Sequence, residues 1–367
     1  MLNPSNPKQA GRCHSTKQFD LIGTTAKLIS KDNILAIISK TELTTISSGI
    51  YNGGFKKTKA ILNIQVPEGY SDRQLHEDPL NLIHAAQKNL ELTTDFVAMI
   101  TAAKIANMSM VTKQKNGIAI NVIATAGCSH GESSGEVIDA NQAPGTINII
   151  VILNGKPTDS CLVSLFLTAT EAKTAAMIDY DIRSRYTGDF ATGTITDSLS
   201  VASTNNGETI ELGGPASPIG QLVATCVRQA VKEAATKQDG QRLGRPIAKR
   251  LKERRLPIEK IAQELCKVQS LGLDEKTLIS KLEKTLQSDS LSALFLLAAV
   301  KMDEDCQKGL IPQDFGNIDS LSIKFGNLIA NQKSAIVYQA ESKDKYVEVN
   351  LPPFTKQALI NILQNLS

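Results

Sequence analysis

Residues 145–155 of the chain read GTINIIVILNG, and this segment decides the fold that the rest of the sequence predicts. From Ile147 to Leu153 every side chain except that of Asn148 is apolar, so neither face of the segment is suited to water. A strand without a polar face is typical of the centre of a sheet that is covered on both sides. The segment therefore predicts a central strand in a layered sheet-and-helix domain of the α/β (α+β) class.

The neighbouring segments supply the rest of this domain. A helix with its N-cap at Thr158 or Asp159 follows the central strand, and a loop rich in Gly, Thr and Asp follows the helix at 186–196. Further strands are predicted at 21–29, 34–38, 58–66, 117–125 and 199–203, and further helices at 79–92 and 219–237.

Composition excludes several classes of protein. The chain has 367 residues, of which 41% are hydrophobic and 21% charged, as in an ordinary globular protein. A net charge of +3, few aromatic residues and no Trp give no reason to expect a nucleic-acid partner. No apolar run reaches the roughly 18 residues of a membrane span, and the polar N-terminus lacks a signal-peptide core. Six scattered cysteines favour reduced thiols, so we expect a cytoplasmic location.

A change in composition divides the chain. Between Arg242 and Arg255, seven Lys and Arg residues face a single Glu. We predict a loose tail at 1–18, an α/β domain at 19–238, a basic linker at 239–256 and an all-α domain at 257–367.

The common catalytic signatures are absent. The sequence has no P-loop, no GxGxxG after a strand, no HExxH and no GxSxG elbow. His130-Gly131-Glu132 matches half of a deaminase zinc signature, but the required Cys pair is missing.

Hydroxyl and acidic residues instead gather at strand and helix ends in the middle of the chain. Hydrolysis of an amide or ester needs a nucleophile, a proton acceptor and donors for the oxyanion, and these segments contain all three kinds of group. Ordinary structural roles stay open: Thr146 can simply begin a strand, Glu171 and Lys173 can form a solvated helix face, and the Gly/Thr/Asp loop can be a set of turns.

At these same segments the chain resembles the adenosylcobinamide amidohydrolase family of archaeal and bacterial corrinoid salvage. The matching blocks are SSG (47–49) with NGG (52–54), MITAA (99–103), ATAG (124–127), PGTINI (144–149), TATEAKTAA (168–176), SRYTGD (184–189), and ATGT (191–194) with TD (196–197). The resemblance implies hydrolysis of the amide between the aminopropanol arm and the corrin ring of adenosylcobinamide. The products would be adenosylcobyric acid and 1-aminopropan-2-ol, and the partner would be adenosylcobinamide or another corrinoid.

Our hypothesis for the catalytic roles is specific to this chain. Glu171 is the general base or acid, and Lys173 holds it ionised or stabilises the oxyanion. Asp189 and Asp197 position water or the leaving amine, and Thr146 contributes its hydroxyl. The Gly188 and Gly193 amides are the oxyanion donors, and the full set of predicted substrate-binding residues is Ser47, Ser48, Asn52, Asn148, Thr168, Tyr186, Gly188, Thr192, Gly193 and Thr194.

Three alternatives remain open. Gly145-Thr146 before an apolar strand is similar to self-processing aminopeptidases and ornithine acetyltransferases, in which backbone cleavage frees a Thr or Ser nucleophile. That likeness implies two sheets between helical layers. The chain could also be a non-catalytic corrinoid-binding or scaffold protein that kept the fold, or a general peptide amidase.

The C-terminal domain shows a looser resemblance. RLPIEKIA (255–262), AAVKMDED (298–305), GLIP (309–312) and SI (322–323) are similar to a helical phosphatase family that includes α-ribazole-5′-phosphate phosphatase and phosphatidylglycerophosphatase relatives. The likeness implies α-ribazole phosphate as a second substrate. Asp303 and Asp305 are the candidate Mg²⁺ ligands, because acids near a helix C-terminus oppose its dipole unless a cation compensates. Neutralisation by Lys301 and Lys308 is the alternative.

Overall fold

The computed structural model describes residues 16–67, 78–128, 130–137, 145–240, 245–268, 271–311, 317–333 and 350–364. Contacts divide the chain into two compact units, residues 1–243 and 244–367.

The first unit is built on a nine-stranded sheet with helices on its faces. Its elements are β1 (Lys17–Asp20), β2 (Ala26–Lys31), β3 (Ile34–Ser47), β4 (Gly54–Gln65), α1 (Pro79–Asn89), β5 (Phe96–Thr101), β6 (Ser109–Lys115), β7 (Ile118–Gly127), β8 (Thr146–Leu153), β9 (Lys156–Pro157), α2 (Asp159–Asp179), β10 (Ser198–Ser203), β11 (Thr209–Ile210) and α3 (Pro218–Asp239). Along the sheet the order of the strands is β1-β2-β3-β10-β8-β7-β6, while β4 pairs with both β3 and β5.

The predicted central strand is confirmed. All eight residues of β8 are buried. It pairs antiparallel with β7, where Gly127 lies opposite Thr146, and parallel with β10, where Ser198 lies opposite Asn148. Strands on both edges and apolar layers on both faces leave no part of it in contact with water.

The sheet curls so that the first unit has four layers. One face of β7, β8 and β10 packs on α2 and α3, with Ile149 and Val201 in that core. The opposite face contributes Ile150 to a core that also contains Ile61 of β4 and Met99 of β5. The outer face of β4 and β5 packs on α1. The order helix, sheet, sheet, helix confirms the predicted layered fold class.

Helix α2 is part of this packing. Among the described residues it is the one helix long and apolar enough to meet the length and composition of a membrane span. However, Leu162, Leu165 and Ala169 are fully buried in the core beneath the sheet. The helix begins at its predicted cap, where the Thr158 hydroxyl accepts a hydrogen bond from the Cys161 amide at 3.1 Å.

Two predictions about local structure, a strand at 21–29 and a linker at 239–256, are wrong. The expected strand at 21–29 is interrupted, because the chain turns at Gly23, with φ of 75°, and the Leu21 amide bonds Ala26 O at 3.1 Å. The expected linker at 239–256 contains a helix, Ile247–Glu253, whose Leu251 is buried.

The second unit is helical throughout its described part. Its core includes the fully buried Leu296, Ala299 and Phe354. The helices are α4 (Ile247–Glu253), α5 (Ile258–Leu265), α6 (Glu275–Ser288), α7 (Ser290–Gln307), α8 (Ile318–Lys333) and α9 (Pro353–Gln364).

Candidate active site

Polar side chains concentrate at one edge of the first unit, where β7 ends and β8 and β10 begin. Because side chains alternate along a strand, Thr146 and Asn148 share the face of β8 that carries the inner core residue Ile150. Both polar side chains are at most 2% exposed. Buried polar groups must find partners, so their contacts define what this edge can do.

Asn148 joins the two sheets at this edge. Its Nδ2 donates to Asn63 Oδ1 at 2.8 Å and to Ile100 O at 2.9 Å, while its Oδ1 accepts from the Ser198 amide at 3.1 Å. Asn63 in turn donates to Thr125 Oγ1 at 2.9 Å. Both amide hydrogens of Asn148 are therefore used within the protein, so this predicted substrate ligand serves to lock the sheets together.

Thr146 lies in a short hydroxyl chain. Its Oγ1 is 2.7 Å from Thr196 Oγ1, and Thr196 donates to Gly145 O at 3.0 Å. Because Thr196 has a single hydroxyl hydrogen and gives it to the carbonyl, Thr146 is the donor between the two. The Thr146 oxygen is thus held in a fixed position at the beginning of the central strand.

A partly buried ion pair fixes the loop beside Thr146. Lys173 Nζ of α2 donates to Asp197 Oδ2, and the two side chains are 13% and 14% exposed. Asp197 also accepts from the Ile147 amide at 2.9 Å, from the Thr194 amide at 3.1 Å and from the Thr194 hydroxyl. Several hydrogen bonds of this kind compensate the cost of burying the carboxylate.

Gly193 makes room for that pair. A Cβ at this position would lie 2.5 Å from Asp197 Oδ2 and 2.6 Å from Lys173 Nζ. Both distances are shorter than any non-bonded contact of carbon, so a larger residue would displace one of the two charges.

A second charged pair, which the sequence analysis did not predict, meets the same loop. Glu132 bonds the backbone of residue 193 in both directions: its amide donates to Gly193 O at 2.9 Å and its carbonyl accepts from the Gly193 amide at 3.2 Å. Its side chain contacts Arg185 at 3.3 Å and is 5% exposed. Burial raises the pKa of Glu132, and the Arg185 charge partly opposes that rise. Long-range pairing brings Glu132 here, and the local sequence offered only an incomplete deaminase signature at 130–132, which points to different chemistry.

Cys128 is an unsuitable nucleophile. It follows β7, and its backbone amide donates to Asp239. Burial, together with the Asp239 charge, raises the pKa of its thiol well above the usual value. The thiol therefore stays protonated near neutral pH and has little nucleophilic character.

The remaining loop residues mostly bond to one another. The predicted oxyanion donors are occupied, because the Gly188 amide bonds Ser184 O at 2.9 Å and the Gly193 amide bonds Glu132 O. The Thr192 hydroxyl accepts from the Ser134 amide at 2.9 Å. The Tyr186 hydroxyl accepts a hydrogen bond from the Arg185 guanidinium group at 2.9 Å. Asp189 is exposed in the same loop.

The predicted substrate-binding residues Ser47 and Ser48 lie at the end of β3, next to its partner strand β10. The Ser47 hydroxyl is 2.6 Å from the Ser200 hydroxyl, and the Ser48 hydroxyl accepts from the Leu199 amide at 3.0 Å. Asn52 instead occupies the β3–β4 turn with φ of 53° and donates to Phe96 O at 3.0 Å.

The structure does not bring Glu171 to this centre. Glu171 is exposed and lines a groove of about 660 Å³ between α2 and α3, together with Thr168. Thr168 donates to Gly213 O at 3.0 Å. Residues two apart on a helix point to different sides, so Lys173 and Glu171 cannot both face Thr146.

Asp303 and Asp305 of the second unit have protein partners. The Asp303 carboxylate is 4% exposed and accepts from the Phe354 amide at 2.9 Å, the Thr355 amide at 2.7 Å and the Thr355 hydroxyl at 2.6 Å. It therefore caps α9. Asp305 pairs with Lys301, as the alternative interpretation expected. Within the described ranges no group of three or more His, Cys, Asp or Glu side chains could hold a metal ion.

A fixed hydroxyl, an ammonium group and buried carboxylates at one edge of a layered α/β domain are the groups of a hydrolase that acts on amide bonds. Residues 21–243 match the family model described as adenosylcobinamide amidohydrolase. The chain belongs to this family.

Three relatives are similar to the chain, and two of them carry the family's name. An uncharacterized protein of Methanocaldococcus jannaschii is 28% identical over 211 residues, covering 51% of this chain and 80% of the relative. The adenosylcobinamide amidohydrolase of Halobacterium salinarum is 29% identical over 206 residues, covering 53% and 80%. That of Methanosarcina mazei is 26% identical over 193 residues, covering 53% and 82%.

Two solved structures show a weaker similarity. The PH0078 protein of Pyrococcus horikoshii has a TM-score of 0.30 and 12% identity, covering 62% of this chain and 83% of its own. The L-aminopeptidase D-Ala-esterase/amidase of Ochrobactrum anthropi has a TM-score of 0.27 and 10% identity, covering 61% and 83%.

Proposed function

We propose that the first unit hydrolyses the amide between the aminopropanol arm and the corrin ring of adenosylcobinamide. Water adds to the amide carbon, the C–N bond breaks, and the proton passes to the departing amine, which leaves adenosylcobyric acid and 1-aminopropan-2-ol. The observation that carries the proposal is the fixed group of Thr146, Lys173 and Asp197 in a chain of this family.

The roles follow from the contacts. Lys173 supplies a positive charge to stabilise the oxyanion, and Asp197 is a positioning residue that holds Lys173 next to β8. Thr146 orients the attacking oxygen through its hydroxyl chain. Proton transfer is better assigned to Glu132 than to Glu171, because Glu132 is buried against the same loop and this burial raises its pKa.

The test is incubation with adenosylcobinamide, followed by chromatography of aminopropanol and the corrinoid product. We expect Lys173→Met, Asp197→Asn and Glu132→Gln to reduce turnover at least about 100-fold, the scale of a lost electrostatic or acid–base contribution. Glu171→Gln is the matched control and should stay within a few fold of the parent. A large loss in Glu171→Gln with normal turnover in Glu132→Gln would reverse the assignment.

The same assay separates the alternatives. Tight corrinoid binding without product would support a binding or scaffold protein, and turnover of simple peptides would support a general amidase. Intact-mass measurement tests self-processing, because an uncleaved chain gives one species of 39.5 kDa. Cleavage before Thr146 would give two fragments and would make the freed Thr the nucleophile.

A further inference from the structure

A cavity of about 1140 Å³ opens at the other end of the central strands, near the turn after β8 and the beginning of α3. We call it the distal cavity. Small-molecule sites usually span about 300–1,000 Å³, so there is room here for a macrocycle. The cavity is remote from the hydrolytic centre, because the eight residues of β8 separate Thr146 from Asn154 by about 25 Å at about 3.3 Å per residue.

The backbone next to the distal cavity is closely packed. Gly213 and Gly220 do not line the cavity but adjoin residues that do: a Cβ on Gly213 would lie 2.5 Å from Cys161 O, and one on Gly220 would lie 2.0 Å from Gly214 O. A Cβ on Gly155 would lie 2.9 Å from Ile210 Cδ1. Gly214 differs, because a Cβ there meets nothing within 4 Å although the residue lines the cavity. Gly214 is therefore a position from which a side chain can enter the cavity without first meeting the protein.

The lining specifies the chemistry of the occupant. Ile118, Ile210 and Leu212 give it an apolar surface, and Leu212 is 74% exposed. Two exposed carboxylates, Glu208 and Glu211, belong to the lining, and the described residues that line the cavity include no Lys or Arg. The apolar lining and these two carboxylates, which we call the acidic rim, favour a large ligand with an apolar ring system and a positive charge.

We propose that the distal cavity is a second, non-catalytic corrinoid site. The inference rests on the proposed function, because adenosylcobinamide has the required properties: a monoanionic corrin and one alkyl ligand on cobalt(III) leave a net positive charge, and amide arms surround the ring. Its product carries an added carboxylate, which the acidic rim disfavours.

Equilibrium dialysis of adenosylcobinamide against the full Asp197→Asn chain tests the proposal. Gly214→Trp, added to that chain, fills the cavity and should remove one bound equivalent. Leu167→Trp is the matched control, because Leu167 is 58% exposed on α2 and does not line the cavity; it should leave the stoichiometry unchanged. The double substitution Glu208→Gln and Glu211→Gln should raise the dissociation constant of that bound equivalent about 10-fold. Haemin, which is a dianion, should not displace it.

Gly214→Trp that binds as many equivalents as its parent would overturn the inference, provided that both chains show the same thermal midpoint. Hydrolysis by the unsubstituted chain is measured separately. Loss of one equivalent in Gly214→Trp without any hydrolysis would overturn the proposed function alone, whereas hydrolysis with unchanged binding would overturn the distal site alone.

Discussion

Gly193 lies against two charged groups, one from helix α2 and one from its own loop. Lys173 lies on α2, and Asp197 receives the Ile147 amide of β8 as well as the Lys173 ammonium group. The glycine lies over this pair and has no space for a side chain. The side chain at this position can therefore be no larger than a hydrogen atom.

At the residue scale we predict that Gly193→Ala separates the ion pair and lowers the free energy of unfolding by about 1–3 kcal/mol, the usual cost of overpacking. Turnover should fall as well, because Lys173 loses its fixed position. Urea unfolding and the corrinoid assay measure the two effects. Gly214→Ala is the control and should change stability by less than about 1 kcal/mol, since its Cβ enters open space. Unchanged stability in Gly193→Ala would contradict this account of the loop.

At the element scale, Asp179 ties α2 to α3. Its carboxylate accepts from Arg228 Nε at 2.7 Å and from Lys232 Nζ at 3.1 Å. The Arg228 hydrogen bond lowers the pKa of Asp179 to about 2. An acid whose pKa is lower in the folded state stabilises that state above its unfolded pKa of about 3.9, and the contribution is lost as the pH falls towards the folded value.

Asp179→Asn should therefore be less stable than the parent at about pH 6, and the difference should shrink between about pH 4 and pH 2. We expect less than about 1 kcal/mol, because the Arg228 side chain is half exposed and solvent screens the pair. Urea unfolding at each pH measures this difference. A difference that stays constant down to pH 2 would show that the carboxylate charge is not its source.

The capping of α9 gives a second element-scale prediction. Asp303→Ala leaves two buried backbone amides without their acceptor and should cost about 3 kcal/mol of stability. Asp305→Ala breaks a largely exposed helical pair and should cost less than about 0.5 kcal/mol. Because protein donors already hold the Asp303 carboxylate, added Mg²⁺ should leave the thermal midpoint unchanged. A rise in the thermal midpoint on adding Mg²⁺, absent in Asp303→Ala, would instead support the predicted metal site.

At the scale of the whole molecule, the two units have separate cores, and each is expected to unfold as a cooperative step of its own. Breaking the buried pair with Asp197→Asn should destabilise the first unit by about 3 kcal/mol. Hydrogen exchange with mass spectrometry should then show faster exchange in peptides from 1–243 alone, and Asp303→Ala should affect only those from 244–367. Equal effects on both sets would mean that the units unfold together.

Several features could be predicted from local sequence. The apolar run of β8 and the cap at Thr158 depend on neighbouring residues, and the structure confirms both. Strand β6 was missed because its polar end, Lys113 to Lys115, dilutes the alternation that identifies a strand.

Sequence by itself determined the layered domain and the membership of its family, because hydrophobic periodicity and ordered motifs are properties of the chain. It also identified Thr146, Lys173 and Asp197 as candidates for the proposed chemistry. Only the tertiary structure decided that Lys173 bonds Asp197 while Glu171 faces another groove, and that Glu132 joins the same loop. The physical reason is that the rotation of a helix about its axis and the pairing of strands distant in sequence determine which side chains become neighbours.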